Sequence, residues 1–296
     1  QGSGYSSLVQ DPSTTSQVTN NRGFIIESDS LIYVSVRLNA GSFQQAGALV
    51  SKGENALGTT FRVGTYTSEN TNNPPASNRQ NYLSFFSFMA TEDNTVVNLT
   101  NERVSNDSSK YSGLDIQNFS GQFPINNIEL NRGETYTVAI KMDENIGKED
   151  ALIGTQINSD KPIVVNSGSA NGSFANGGLR DYGIDQIVGL KKVGKEYIFV
   201  KGEGDKSFEN ILIVAHYDNT KIKINEQSSL EAVTINKGEY HLIEGDFYSA
   251  DGNMYVNTSE DVFAYQGIGG TSSEANQGMF FVPPLSCESR GDVNNI

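Results

Sequence analysis

The chain has 296 residues, of which 36% are hydrophobic, 19% charged and 9% aromatic, enough for one large domain or two smaller ones with real cores. Its 21 basic and 35 acidic side chains give a net charge of −14, which argues against nucleic acid and anionic membranes as partners, since both require a surplus of Lys and Arg. With 2 His and 1 Cys, most metal and nucleophile constellations and any disulfide framework are excluded, and no apolar run approaches the roughly 18 residues that span a bilayer.

Residues 1–21 are polar and carry neither the basic start nor the apolar stretch of a signal peptide. Short β-branched and aromatic runs then follow one another: 31–38 (LIYVSVRL), 82–90 (YLSFFSFMA), 95–99, 135–140, 162–165, 196–200, 211–215 (ILIVA), 221–224 (KIKI), 239–243, 253–256 and 261–265. Each is bounded by Asn, Asp, Gly, Ser or Pro, the pattern of strands between turns. The run 211–215 is apolar on both faces and should be covered on both, whereas 221–224 alternates and should have one wet face. The best candidate for a helix is the short stretch 183–188. Two stretches read as long loops, 67–80 with its Asn-Asn-Pro-Pro and the Ser/Asn-rich 101–127, and long loops are often functional.

The strongest signal is internal repetition. Glu92-Asp93-Asn94-Thr95 matches Tyr217-Asp218-Asn219-Thr220, Asn131-Arg132-Gly133-Glu134 matches Asn236-Lys237-Gly238-Glu239, and residues 157–165 match 256–264. The offsets are 125, 105 and 99, so the earlier copy carries about 20 extra residues within 101–127 and about 6 more after Met142. Residues 26–34 also match 157–165, and 56–63 match 192–199. The expected organisation is therefore a remnant at 1–22, the end of a first repeat at 23–55, a second repeat at 56–191, a third at 192–287 and a linker at 288–296, with the chain read as a piece of something longer. The expected fold is all-β, in repeated modules of about eight short strands each. A propeller-like closed array fits the doubly covered strands best, and tandem β-sandwiches are the alternative.

The run Gly154-Thr155-Gln156-Ile157-Asn158-Ser159-Asp160-Lys161-Pro162-Ile163-Val164-Val165-Asn166-Ser167-Gly168 resembles the G-T-x-I-x-S-D-K-P-I-x-V-x-S-G stretch of the IgGFc-binding-protein N-terminal domain family. The hairpin 90–95 (ATEDNT), the turn 131–136 (NRGETY), Asp185-Gln186-Ile187 followed by Gly194-Lys195-Glu196-Tyr197, and the ending 282–287 (VPPLSC) are similar to that family too, although the prolines expected between 187 and 194 are absent. The resemblance runs from Gly23 to Cys287. The Asn-rich, acidic, Cys-poor style is similar to the bacterial branch of the family, which implies a cell-surface adhesin-like module of gliding Bacteroidetes exported by the type IX secretion system. The resemblance does not by itself imply immunoglobulin binding, and it brings no catalytic residues.

Chemistry is sparse. His216 and His241 lack partners at a recognisable spacing and read as structural histidines. The densest carboxylate cluster, 143–150, offers Asp143, Asn145, Glu149 and Asp150 as candidate calcium ligands, but its glycine is misplaced for an EF-hand and a solvated turn is the favoured reading. No other cofactor is expected. Tyr111, Phe119 and Phe123 in the inserted loop either pin it to the core or form a contact surface with residues 67–80. The expected function is a non-catalytic extracellular interaction module whose expected partners are a protein or glycan ligand and components of the secretion translocon. The alternative is a structural spacer of a surface filament.

Overall fold

The computed structural model describes residues 12–20, 22–40, 45–69, 83–141, 145–229, 231–275 and 277–285. In chain order they form β1 (Val18–Thr19), the hairpin β2 (Ser35–Ala40) and β3 (Gln45–Val50), β4 (Gly58–Arg62), β5 (Ser68–Glu69), β6 (Leu83–Ala90), β7 (Thr95–Thr100), the short helix α1 (Glu102–Asn106), β8 (Ile125–Leu130), β9 (Thr135–Lys141), β10 (Gln156–Ser169), β11 (Gly172–Ser173) and β12 (Gly183–Ile187). They continue with β13 (Gly194–Val200), β14 (Ile211–Ala215), β15 (Thr220–Ile224), β16 (Val233–Ile235), β17 (Tyr240–Ile243), β18 (Asn253–Ile268) and β19 (Gly278–Val282). The fold is all-β.

Two large sheets share one strand order. The first runs β9-β6-β10-β7-β8 with β4 and β12 also on β10, and the second runs β17-β14-β18-β15-β16 with β13 and β19 also on β18. The small β1 adds itself to β9. The turns superimpose in chemistry as well. Asn94 (φ 54°) and Asn219 (φ 55°) both take left-handed backbone, as do Gly133 (φ 84°) and Gly238 (φ 79°). Asp93 Oδ1 accepts from the Arg132 amide at 3.0 Å, and Asp218 Oδ1 accepts from the Lys237 amide at 3.1 Å. Glu134 and Glu239 each bracket their turn by accepting from the amides of Asn131 (2.6 Å) and Asn236 (2.7 Å).

Among the described residues the sheets are not arranged as propeller blades. Each sheet bends along its long strand and nearly closes on itself. Residues 156–159 of β10 pair with β7, residues 163–169 pair with β6, and the register with β4 breaks between Asn158 and Ile163. In the second sheet β18 gives its first half to β13 and β15 and its second half to β14 and β19. Two nearly closed, barrel-like sheets in tandem fit the sandwich alternative better than the propeller. The doubly apolar β14 misled the expectation. Its Ile211, Ile213 and Ala215 enter the core of their own sheet, while Leu212 and Val214 enter a second core shared with the first sheet. Neighbouring blades are not needed to cover both faces.

Three further expectations are corrected. Residues 183–187 are strand β12, not helix, because they pair with Val165–Ser169 of β10. Residues 31–34 form no strand, and the hairpin begins at Ser35. The loop 101–127 contains α1 and the start of β8. Of the loop 67–80, Ser68–Glu69 form a short ladder with Gly172–Ser173, and residues 70–80 lie outside the described residues.

Candidate functional site

The two sandwiches meet along a joint dense in charge, and the extra residues of the first copy build most of one wall. Arg62 ends β4, fully buried. Its Nη1 and Nη2 donate to Glu102 Oε2 (2.6 Å) and Oε1 (3.1 Å), with further bonds to the Gly154 carbonyl (2.7 Å) and Gln156 Oε1 (3.0 Å). Such a bidentate pair supplies the compensation that a buried guanidinium requires. Glu102 stands in the first turn of α1, which is fixed by its N-cap: Asn101 Oδ1 accepts from the Val104 amide, and Asn101 Nδ2 donates to Ala151 O and Thr155 Oγ1. From the other sandwich, Lys237 in the turn before β17 reaches Glu102 at 3.1 Å.

A second cluster lies beside it. Asp150 is buried and accepts from Arg103, from Lys110 (2.8 Å), from the Tyr111 hydroxyl (3.2 Å) and, across the joint, from the Tyr240 hydroxyl (3.0 Å). Arg103 also stacks over the Tyr240 ring, 4.6 Å from its centroid. Burial alone would raise the Asp150 and Glu102 carboxyls, but Arg103 and Lys110 beside the one and Arg62 beside the other hold both below the usual range. Lys110 is desolvated, yet its contact with Asp150 raises it. His216 is pushed down to about 4 by burial and by the charges of Arg62 and Lys237. Arg62 Nε points at its Nδ1 at 3.4 Å, which requires that nitrogen to be unprotonated.

Between the two clusters opens a groove of about 600 Å³ with Asn106, Asp107 and Lys110 on one wall and Asp218, Asn236 and Lys237 on the other. Its polar rim alternates in sign, and its floor charges are already paired. The arrangement suits recognition of a polar surface by complementary charge.

Against known families, the profile of the IgGFc binding protein family matches residues 46–293, most of the chain. The chain belongs to the IgGFc binding protein family. Neither the curated proteins nor the solved structures contain a match to it.

Within this IgGFc-binding-type domain the sequence-selected residues fall as follows. Tyr111 and Phe123 are core residues at 2% and 8% exposure, and Phe119 packs half-buried against the same core. As side chains they are not an exposed contact surface: the insertion folds inward, and Leu114 and Ile116 are buried with them. Asp143 lies outside the described residues. Asn145 is fully buried, its amide donating to the carbonyls of Asp115 (3.0 Å) and Lys141 (2.8 Å) while its oxygen accepts from the Asp115 amide (2.8 Å). Glu149 turns back to the Gly147 amide, and Asp150 is committed to Arg103 and Lys110. Among the described residues no group of three or more His, Cys, Asp or Glu side chains is placed to hold a metal ion, and the cluster acts as a turn plus an ion-pair anchor. Sequence reading missed Arg62, Glu102, Arg103, Lys237 and Tyr240. The one available signal was the position of the insertion, whose start supplies Glu102 and Arg103.

Proposed function

We propose that the chain is a non-catalytic extracellular interaction module of a large bacterial cell-surface protein, built from repeats that meet at residues 191 and 192. The observation that carries this reading is family membership over residues 46–293. A groove whose cations are engaged by carboxylates within the fold supports recognition rather than reaction. The ligand class is an extracellular protein or glycan, and the proposal includes adhesion linked to gliding, export by a type IX system and contact with its translocon. Among the described residues no helix is long and apolar enough to cross a membrane. The test is a glycan and glycoprotein array probed with the chain and with Asn106→Arg, a substitution on the exposed groove rim. Retention on a discrete set of spots, lost in N106R, supports the reading. Equal or absent retention by both proteins overturns the groove as the site.

A second reading, a spacer in a surface filament, is favoured by one observation: the two sandwiches are locked together through a shared core instead of a flexible linker.

A further inference from the structure

The joint between the two sandwiches has a direction, and both of its faces recur, uncovered, at the two ends of the described molecule. On the holding side, Arg62 and Gly64 of the first sandwich receive Tyr265 of the second. The Tyr265 hydroxyl donates to the Arg62 carbonyl at 2.7 Å, and a Cβ on Gly64 would sit 2.4 Å from the Tyr265 ring. Shared register fixes the counterparts on the second sandwich. Gln156 of β10 faces Arg62 and Tyr255 of β18 faces Ile198, so Arg62 corresponds to Ile198 and Gly64 to Val200. Arg62 is fully buried, whereas Ile198 is 49% and Val200 64% exposed. The second sandwich therefore repeats the holding face with the apolar Ile198 and Val200 beside Glu196, and these side chains are exposed among the described residues.

On the held side, Tyr265 and Phe281 are register partners in β18 and β19 and pack into the shared core. Asn166 and Gln186 are the corresponding partners in β10 and β12, and Ser35 and Val50 are the corresponding partners in the hairpin β2–β3. The other face of this hairpin lies on the first sandwich, where a Cβ on Gly47 would sit 2.7 Å from Tyr182 Cβ, and its edge is tied there by the Tyr182 amide donating to Ala46 O and the Lys52 amide to Gln186 Oε1. Its free face carries Val50 at 55% exposure, and Tyr33, two residues before Ser35, is 82% exposed.

We infer that a second copy of this chain docks head to tail. The free face of hairpin β2–β3 with Tyr33 settles on Ile198 and Val200 of the next molecule, continuing the geometry by which the first sandwich holds the second. The hairpin face carries Arg37 as well as Val50 and Tyr33, and the holding row carries Glu196 as well as Ile198 and Val200, so the two faces match in charge as well as in apolar surface. Such a heterologous contact propagates into an open chain unless its rotation closes a ring. The inference is independent of the groove, which lies at the internal joint.

The placement of Tyr265 over Gly64 puts Ser35 of one copy against Val200 of the next. The test therefore uses Ser35→Cys with Val200→Cys in a chain whose single cysteine is replaced, Cys287→Ser. Oxidation should give a ladder of disulfide-linked oligomers on non-reducing gels, absent when either cysteine is supplied alone. Sedimentation equilibrium of the unmodified chain, from micromolar to millimolar, should show mass rising with concentration, with Val200→Lys weakening association by about tenfold or more. Ile198 and Val200 are exposed, so V200K should leave the circular dichroism and melting temperature unchanged, which separates loss of docking from loss of fold. A monomer throughout the range with no ladder overturns the inference, as does an oligomer indifferent to V200K.

Discussion

Gly154 and Gly238 touch backbone to backbone across the joint: a Cβ on Gly154 would lie 1.9 Å from the Gly238 carbonyl oxygen. Both residues take left-handed backbone, with φ of 82° and 79°. Gly133, the counterpart of Gly238 in the first sandwich, has the same conformation (φ 84°) with nothing within 4 Å of its Cβ position. The pair separates two effects. Gly133→Ala should cost only the left-handed penalty of about 1–2 kcal/mol. Gly154→Ala must also push the sandwiches apart and should cost clearly more, read as a larger drop in the urea midpoint. Equal midpoints would mean that the joint yields freely.

Arg62 and Glu102 hold a second test. Arg62 is fully buried, and its carboxylate partner lies on α1 in the same sandwich. Glu102→Ala would strand a buried guanidinium and should cost about 3–5 kcal/mol. Lys237 also touches Glu102 but is 41% exposed, so Lys237→Ala should cost about 1 kcal/mol or less. A double-mutant cycle in chemical denaturation should give a large coupling for the first pair and a small one for the second.

The legible and the hidden parts of this molecule differ in physical kind. Turn chemistry is local, so Asp93-Asn94 and Asp218-Asn219, with Gly133 and Gly238, could be matched from sequence, and both sets occupy equivalent turns. Strand alternation is local too, and β7 (burial alternating from Thr95 to Thr100) is readable from its residues. What covers a strand is not local. Ile211–Ala215 announces two buried faces without saying that one is its own core and the other belongs to the neighbouring sandwich. The same limit hid the insertion's direction: an aromatic such as Tyr111 is equally suited to an outer contact or an inner anchor, and only the approach of Asp150 and Arg103 decides. Arg62 was invisible because its partners lie 40, 92 and 94 residues away in sequence.

Acid should loosen the joint before it unfolds the rest. His216 is neutral in the fold, with its value at about 4 against an ordinary 6.5, and it faces Arg62, Lys237 and Glu102. The unfolded chain therefore takes up this proton first. The stabilisation is complete above about pH 6.5 and is lost as pH falls toward 4. Discounted for partial solvent access, it amounts to about 1–2 kcal/mol. Glu102 and Asp150, held below their ordinary 4.5 and 3.8, add a further loss at lower pH. His216→Gln should flatten the dependence of the melting temperature between pH 6.5 and 4 while leaving the steeper fall below it. An unchanged slope in that window would remove His216 as its source.

The last prediction concerns the insertion itself. Replacing residues 105–122 with a Gly-Ser linker would delete Tyr111, Leu114 and Ile116, at 2%, 4% and 1% exposure, and with them the hydroxyl and ammonium that Tyr111 and Lys110 offer to Asp150. Large-to-small changes at single buried sites of this kind cost about 2–5 kcal/mol, so the deletion should bring a large fall in melting temperature or no folded protein. Two milder variants keep the question open to measurement. Tyr111→Phe retains the ring in the core but removes the bond to Asp150, and it should cost about 1 kcal/mol. Ser108→Ala, on the exposed outer side of the same loop, should leave stability unchanged. A linker variant that melts like the parent would show that the loop lies on the core without supporting it and would reopen it as a contact surface.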